Sequence, residues 1–163
     1  MCRPTPKKNF TKCLPIIILF FTVLRILAAL RIPYMILADQ RYDDRMLFEN
    51  AYDLLSGVWL GSYDAYTLAK GIGYPMFLVL AKKLCLPYSM LLALLQVVGA
   101  WLFVRALSVR WKNPYGQTLL YLLLLFSPIS LTQLVTQRLY RMAIVPGMVL
   151  VVFSGMIGLT LRK

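Results

Sequence analysis

"LPIIILFFTVLRILAALR", residues 14–31, contains a single interior charge, Arg25, and is otherwise almost wholly apolar up to its closing Arg31. At 1.5 Å per residue it makes about 27 Å of helix, close to the ~30 Å of hydrocarbon in a bilayer. A helix apolar on every face does not belong on the surface of a soluble domain. The stretch therefore reads as a membrane span.

Working outward, three comparable runs follow at 88–107, 117–135 and 143–161. The chain of 163 residues is 60% hydrophobic with a mean hydropathy of +0.71, well above the ~45–50% apolar content of soluble domains. The expected fold class is an all-α polytopic membrane protein, a single membrane domain over 1–163. It has about four transmembrane helices (14–31, 88–107, 117–135 and 143–161) and an external loop, 32–87, with two interfacial helices.

The formal charge of +12 does not point to nucleic acid. The bases gather at the ends of apolar runs, where they anchor helix ends and set orientation, and not along one soluble face. Cys2, Cys13 and Cys85 lack metal-ligand spacing, and the absence of His argues against zinc and His-based catalysis. The basic head before residue 14 resembles a secretory signal, but no small-residue cleavage motif closes the apolar run, so an uncleaved first span is expected. Arg25 is expected to snorkel toward the helix end, the alternative being a buried functional arginine.

Arg3, Lys7, Lys8 and Lys12 place the N-terminus in the cytoplasm by the positive-inside rule. Residues 32–72 are then external, Arg105, Arg110 and Lys112 return inside, "TQRLYRMAIVP" turns outside, and Arg162 and Lys163 end inside. "KGIGYPMFLVLAKKLCLPY" has too short an apolar core to cross alone, so it reads as an interfacial helix in preference to a span. A multi-pass protein of a bacterial plasma membrane is the expected localisation.

All six carboxylates, Asp39, Asp43, Asp44, Glu49, Asp53 and Asp64, lie in the external loop. Leu47, Ala51, Leu54, Leu55 and Val58 share one helical face, with Arg45, Glu49, Asp53 and Ser56 between them. Asp43 or Asp44 stands at the N-cap position and Gly57 at the stop. Solvation and capping account for most of these acids. They do not account for two adjacent like charges, which repel unless something uses them.

The order of Asp43-Asp44, an amphipathic helix, Gly57–Trp59 and the segment Lys70–Pro75 resembles the first external loop of GT-C glycosyltransferases. The likeness is to the protein mannosyltransferase and aminoarabinose transferase-like branch, which uses polyprenyl-phosphate sugars. It spans roughly residues 14–145 and is densest between 39 and 87. The resemblance implies sugar transfer from a polyprenyl-phosphate donor on the outer face of the membrane. One of Asp43 and Asp44, with Asp43 favoured, would act on the acceptor hydroxyl as general base or positioner. Lys70 would meet the donor phosphate, its alternative being an ordinary interfacial lysine. Arg138 and Arg141 would supply paired hydrogen bonds to phosphate, or else snorkel at a helix end. Trp59, Tyr63 and Tyr74 would stack on sugar or anchor the interface.

One departure from the family pattern stands out: no Asp or Glu follows Asp64. It leaves a second catalytic carboxylate, and a divalent metal bridging two loops, without support. Family members carry many more spans, so a truncated or partial enzyme is expected, partnered by membrane lipids, other helices or a missing C-terminal part. The alternative is a non-catalytic subunit or pseudoenzyme that binds lipid-linked sugar or partner helices.

Overall fold

The computed structural model describes residues 7–31, 45–59, 71–131 and 141–161. They form seven α-helices and a 3₁₀ turn, with no strand among the described residues. The order is α1 (Lys7–Leu30), α2 (Met46–Leu55), α3 (Gly73–Lys83), α4 (Tyr88–Leu107), α5 (Pro114–Leu125), α6 (Pro128–Leu131), the 3₁₀ turn Arg141–Ala143 and α7 (Val145–Leu161).

Three segments are long and apolar enough to cross a membrane: Cys13–Leu30, Tyr88–Leu107 and Pro114–Leu131. This is a helical membrane protein. The last apolar helix, α7, has 17 residues, at the short end of the spanning range of roughly 17–25. The outer surfaces match a hydrocarbon solvent. Ile16, Leu19, Phe20, Leu119, Leu123, Val152, Phe153 and Leu159 are all exposed, which in water would be an aggregating surface.

The long helices alternate in direction. Thr22, Phe21 and Arg25 of α1 meet Tyr121, Phe126 and Ser130 in the same order, so α1 runs parallel to α5 and α6. On α4, Leu95 and Gly99 meet Gly147, and the groove further along pairs Leu102–Val109 with Val151–Leu159, so α4 and α7 are parallel too. Consequently the start of α1, the end of α4, the start of α5 and the end of α7 share one end of the bundle. Lys7, Lys8, Arg105, Arg110 and Lys112 belong to that end, and Arg162 follows α7 in sequence.

The α4–α7 pair is the most extensive in the fold, and glycine permits it. A Cβ on Gly99 would stand 2.8 Å from the Gly147 carbonyl oxygen and 3.0 Å from Leu150 Cβ. Only a missing side chain lets the backbones approach so closely, as helices do in lipid, where van der Waals packing replaces the hydrophobic drive. Ala100, Tyr121 and Leu125 form the buried core, with Ile18, Val97, Val104 and Leu150 around it.

The third span differs from the continuous 117–135 run expected. It starts earlier, at Pro114, because Asn113 caps it by accepting from the Tyr115 N–H at 3.1 Å. It breaks at Phe126–Ser127, because Pro128 has no N–H to give the Leu124 carbonyl. The Leu124 carbonyl takes a long bond from the Ser127 N–H at 3.4 Å, and Gln96 on α4 adds a shorter one, donating to it at 2.7 Å. Gln96 thus ties α4 to α5.

Arg25 overturns the snorkelling expectation. Its side chain is 3% exposed, and Nη2 donates to the Ser130 carbonyl at 3.1 Å. The helix break brings a backbone carbonyl on α6 within reach, and a buried guanidinium is tolerated in a membrane only with such partners. Below it, Thr22 donates to Ile18 O at 2.7 Å and lies 2.8 Å from the Tyr121 hydroxyl. Thr22 has one proton, already given to Ile18, so Tyr121 is the donor in that pair.

Candidate functional site

The opposite end of the bundle carries α2 and α3, which lie between α1 and α4 in the chain. Each is short: α3 has 11 residues, about 16 Å, and α2 has 10. Alternation decides how they pack. Leu47 and Ala51 of α2 are buried against α3, whose own buried residues are Tyr74, Pro75 and Ala81. Leu55 and Val58, expected on the same apolar face, are instead exposed. Among the described residues the face packs chiefly on α3, which is too narrow to cover its full width. Arg45 and Glu49 close an i,i+4 ion pair at 2.7 Å on the polar side, worth at most a few tenths of a kcal/mol in so exposed a place.

Both helices end in the same way. Gly57, at φ +82°, stops α2 as its sequence position predicts, with Val58 N–H on Asp53 O at 2.9 Å and Gly57 N–H on Leu54 O at 3.3 Å. These are the two bonds of a Schellman motif. α3 closes with the equivalent pair, Leu86 N–H on Ala81 O and Cys85 N–H on Lys82 O, at 3.0 and 3.1 Å. There the left-handed position is filled by Cys85 at φ +52°, where glycine would be unstrained.

The α3 helix is tied to the head of α4. The hydroxyls of Tyr74 and Tyr88 lie 2.6 Å apart, and Phe77 meets the Tyr88 ring edge-on with centroids at 6.0 Å. This link fixes the short-helix pair to the transmembrane bundle through an aromatic cluster of known geometry.

Among the expected site residues, Trp59 is exposed beside a groove of about 380 Å³ between α2 and α3, whose walls include Val58, Met76 and Leu80. Tyr74 is 4% exposed, so its ring is enclosed by protein and its hydroxyl is engaged with Tyr88. Arg141 is exposed and opens the 3₁₀ turn that leads into α7. Asp43, Asp44, Tyr63, Lys70 and Arg138 lie outside the described residues, as do Asp39 and Asp64. The structure therefore brings Trp59 and Tyr74 onto one two-helix unit and sets Arg141 on a separate element at the same end.

Among the described residues no group of three His, Cys, Asp or Glu side chains could hold a metal ion. Two features of this region were not singled out from sequence. Tyr88 is the clasp for α3, and Ser130 is the acceptor for Arg25. Pro128, inside the 117–135 run, was the available sign of a break that frees backbone groups.

Comparison with protein-family models, with curated proteins and with solved structures finds no match to this chain.

Proposed function

We propose that this chain is a membrane glycosyltransferase module of the GT-C type, acting on a polyprenyl-phosphate-linked sugar at the outer face of the membrane. The observation that carries the reading is the α2–α3 pair. Two short helices stand between two spans, packed on each other and clasped to α4 through Tyr74 and Tyr88. In this reading they lie along the interface, being too short to cross it. The first of them begins just after Asp43-Asp44 in sequence.

The chemistry follows from the residue types. A hydroxyl attacking an anomeric carbon must lose its proton, which an aspartate accepts. The departing phosphate gathers negative charge, which Lys70, Arg138 and Arg141 would stabilise as fixed cations. The end of the bundle that collects Lys7, Lys8, Arg110 and Lys112 would be cytoplasmic, leaving the α2–α3 end outside. The lack of any acid after Asp64 favours a second reading, a non-catalytic subunit that binds the lipid-linked sugar for a partner.

The test is sugar transfer from a radiolabelled polyprenyl-phosphate donor in membranes bearing this chain. Asp43→Asn with Asp44→Asn is expected to abolish transfer while the protein remains inserted. Unchanged transfer removes the catalytic claim, and donor retained without transfer in the unaltered chain selects the subunit reading.

A further inference from the structure

At the basic end of the bundle, away from the α2–α3 unit, α1, α4 and α5 part to leave a slot of about 400 Å³. It extends along α5 from Pro114 to Tyr121, about 10 Å at 1.5 Å per residue. Its lining is mixed along that length: Arg105, Ser108 and Gln117 stand among apolar walls that include Leu14, Ile18 and Val104. Such a lining suits a molecule with a charged head and a hydrocarbon body.

The head must be anionic. Arg105 is exposed, and its guanidinium stands over the Trp101 ring, 5.0 Å from the centroid, which holds it beside the slot. Arg110 and Lys112 are exposed on the adjoining turn. Glu49 and Asp53, both on α2, are the only carboxylates among the described residues, and neither pairs with these three bases. All six acids of the chain lie between 39 and 64. A zwitterionic headgroup would leave this charge unanswered, and a free phosphate would leave the apolar wall facing nothing.

We propose that this slot holds an anionic phospholipid of the surrounding leaflet, its phosphate against Arg105 and one acyl chain along Ile18 and Val104. The site is independent of the transferase reading, since it lies at the other end of the bundle and uses none of the same residues.

The experiment equilibrates the purified full chain with mixed phosphatidylglycerol and phosphatidylcholine in nonionic detergent and measures retained lipid by native mass spectrometry. The unaltered protein should retain phosphatidylglycerol preferentially. Arg105→Gln should lower that retention about fivefold, the effect of one interfacial cation, and Arg105→Lys should keep most of it. Ile18→Phe, which fills the slot and leaves every charge, should lower retention of phosphatidylglycerol with the helical circular-dichroism spectrum intact. Equal retention of the two lipids overturns the proposal, as does full retention by a folded Ile18→Phe protein. Equal losses from Arg105→Gln, Arg110→Gln and Lys112→Gln also overturn it, because they mean a diffuse charge effect without a slot.

Discussion

Replacing Gly99 by alanine tests the close backbone approach of α4 and α7. The added methyl would lie 2.8 Å from the Gly147 carbonyl oxygen and 3.0 Å from Leu150 Cβ, where ordinary contact begins at 3.4 Å. The first obstacle is backbone, which cannot swing aside as a side-chain tip can. α4 and α7 must therefore part locally by about 0.6 Å, and a gap of that size forfeits roughly a quarter or more of each contact's attraction along the seam. Overpacking of this kind costs about 1–3 kcal/mol. Gly155→Ala is the matched control: it lies on α7, and nothing stands within 4 Å of its would-be Cβ. Both changes gain the same helix propensity from losing a glycine, so that contribution cancels in the difference. Unfolding of the detergent-solubilised protein by SDS, followed by tryptophan fluorescence, should place Gly99→Ala about 1–3 kcal/mol below Gly155→Ala. If the two variants unfold together, α4 and α7 do not meet at Gly99 and the bundle is assembled wrongly.

Gln96→Leu should destabilise by about 1–2 kcal/mol by leaving the Leu124 carbonyl with the long 3.4 Å bond from the Ser127 N–H in place of the short one from Gln96; combining it with Pro128→Ala, which restores an N–H, should recover part of the loss in the same assay. Cys85→Gly should stabilise by about 0.5–1 kcal/mol, relieving the left-handed position at φ +52°, whereas Gly57→Ala at φ +82° should destabilise by a similar amount. Thermal melts that show no opposition of sign would contradict the two helix ends described. Tyr121→Phe removes the donor to Thr22 and should cost about 0.6 kcal/mol, with Thr22→Val adding little on top in a double-mutant cycle. Single cysteines at Phe10 and Lys112, in a chain cleared of Cys2, Cys13 and Cys85, should label with an impermeant maleimide from the same side, and one at Asp43 from the other; Asp43 labelling with Lys112 would sink the proposed site.

Composition and periodicity alone were enough for the membrane class and the position of the first two long helices, while the third starts earlier than its apolar run and breaks within it. A residue in hydrocarbon is judged by its own transfer energy, so a run such as 14–31 announces itself without knowledge of its neighbours. The stop at Gly57 was legible for the same reason, since a left-handed φ is a local demand that glycine meets. The amphipathic α2 was legible as a helix, but its period could not tell that α3 would cover Leu47 and Ala51 and leave Leu55 and Val58 bare.

Three features depended on the assembled bundle. Snorkelling was the sound expectation for Arg25 on an isolated helix, because nothing in the local sequence says that a broken helix 105 residues later will offer it a carbonyl. Pro128 stood inside a run that reads as one continuous span, and the side chain that answers the break it makes, Gln96, comes from another helix. Gly99 and Gly147 are ordinary glycines until α4 and α7 run parallel and place one against the other. Local chemistry chose which segments become helices and which solvent they face. The direction of each helix, and the partner for each buried polar group, came from tertiary packing, because those energies belong to pairs of residues far apart in the chain.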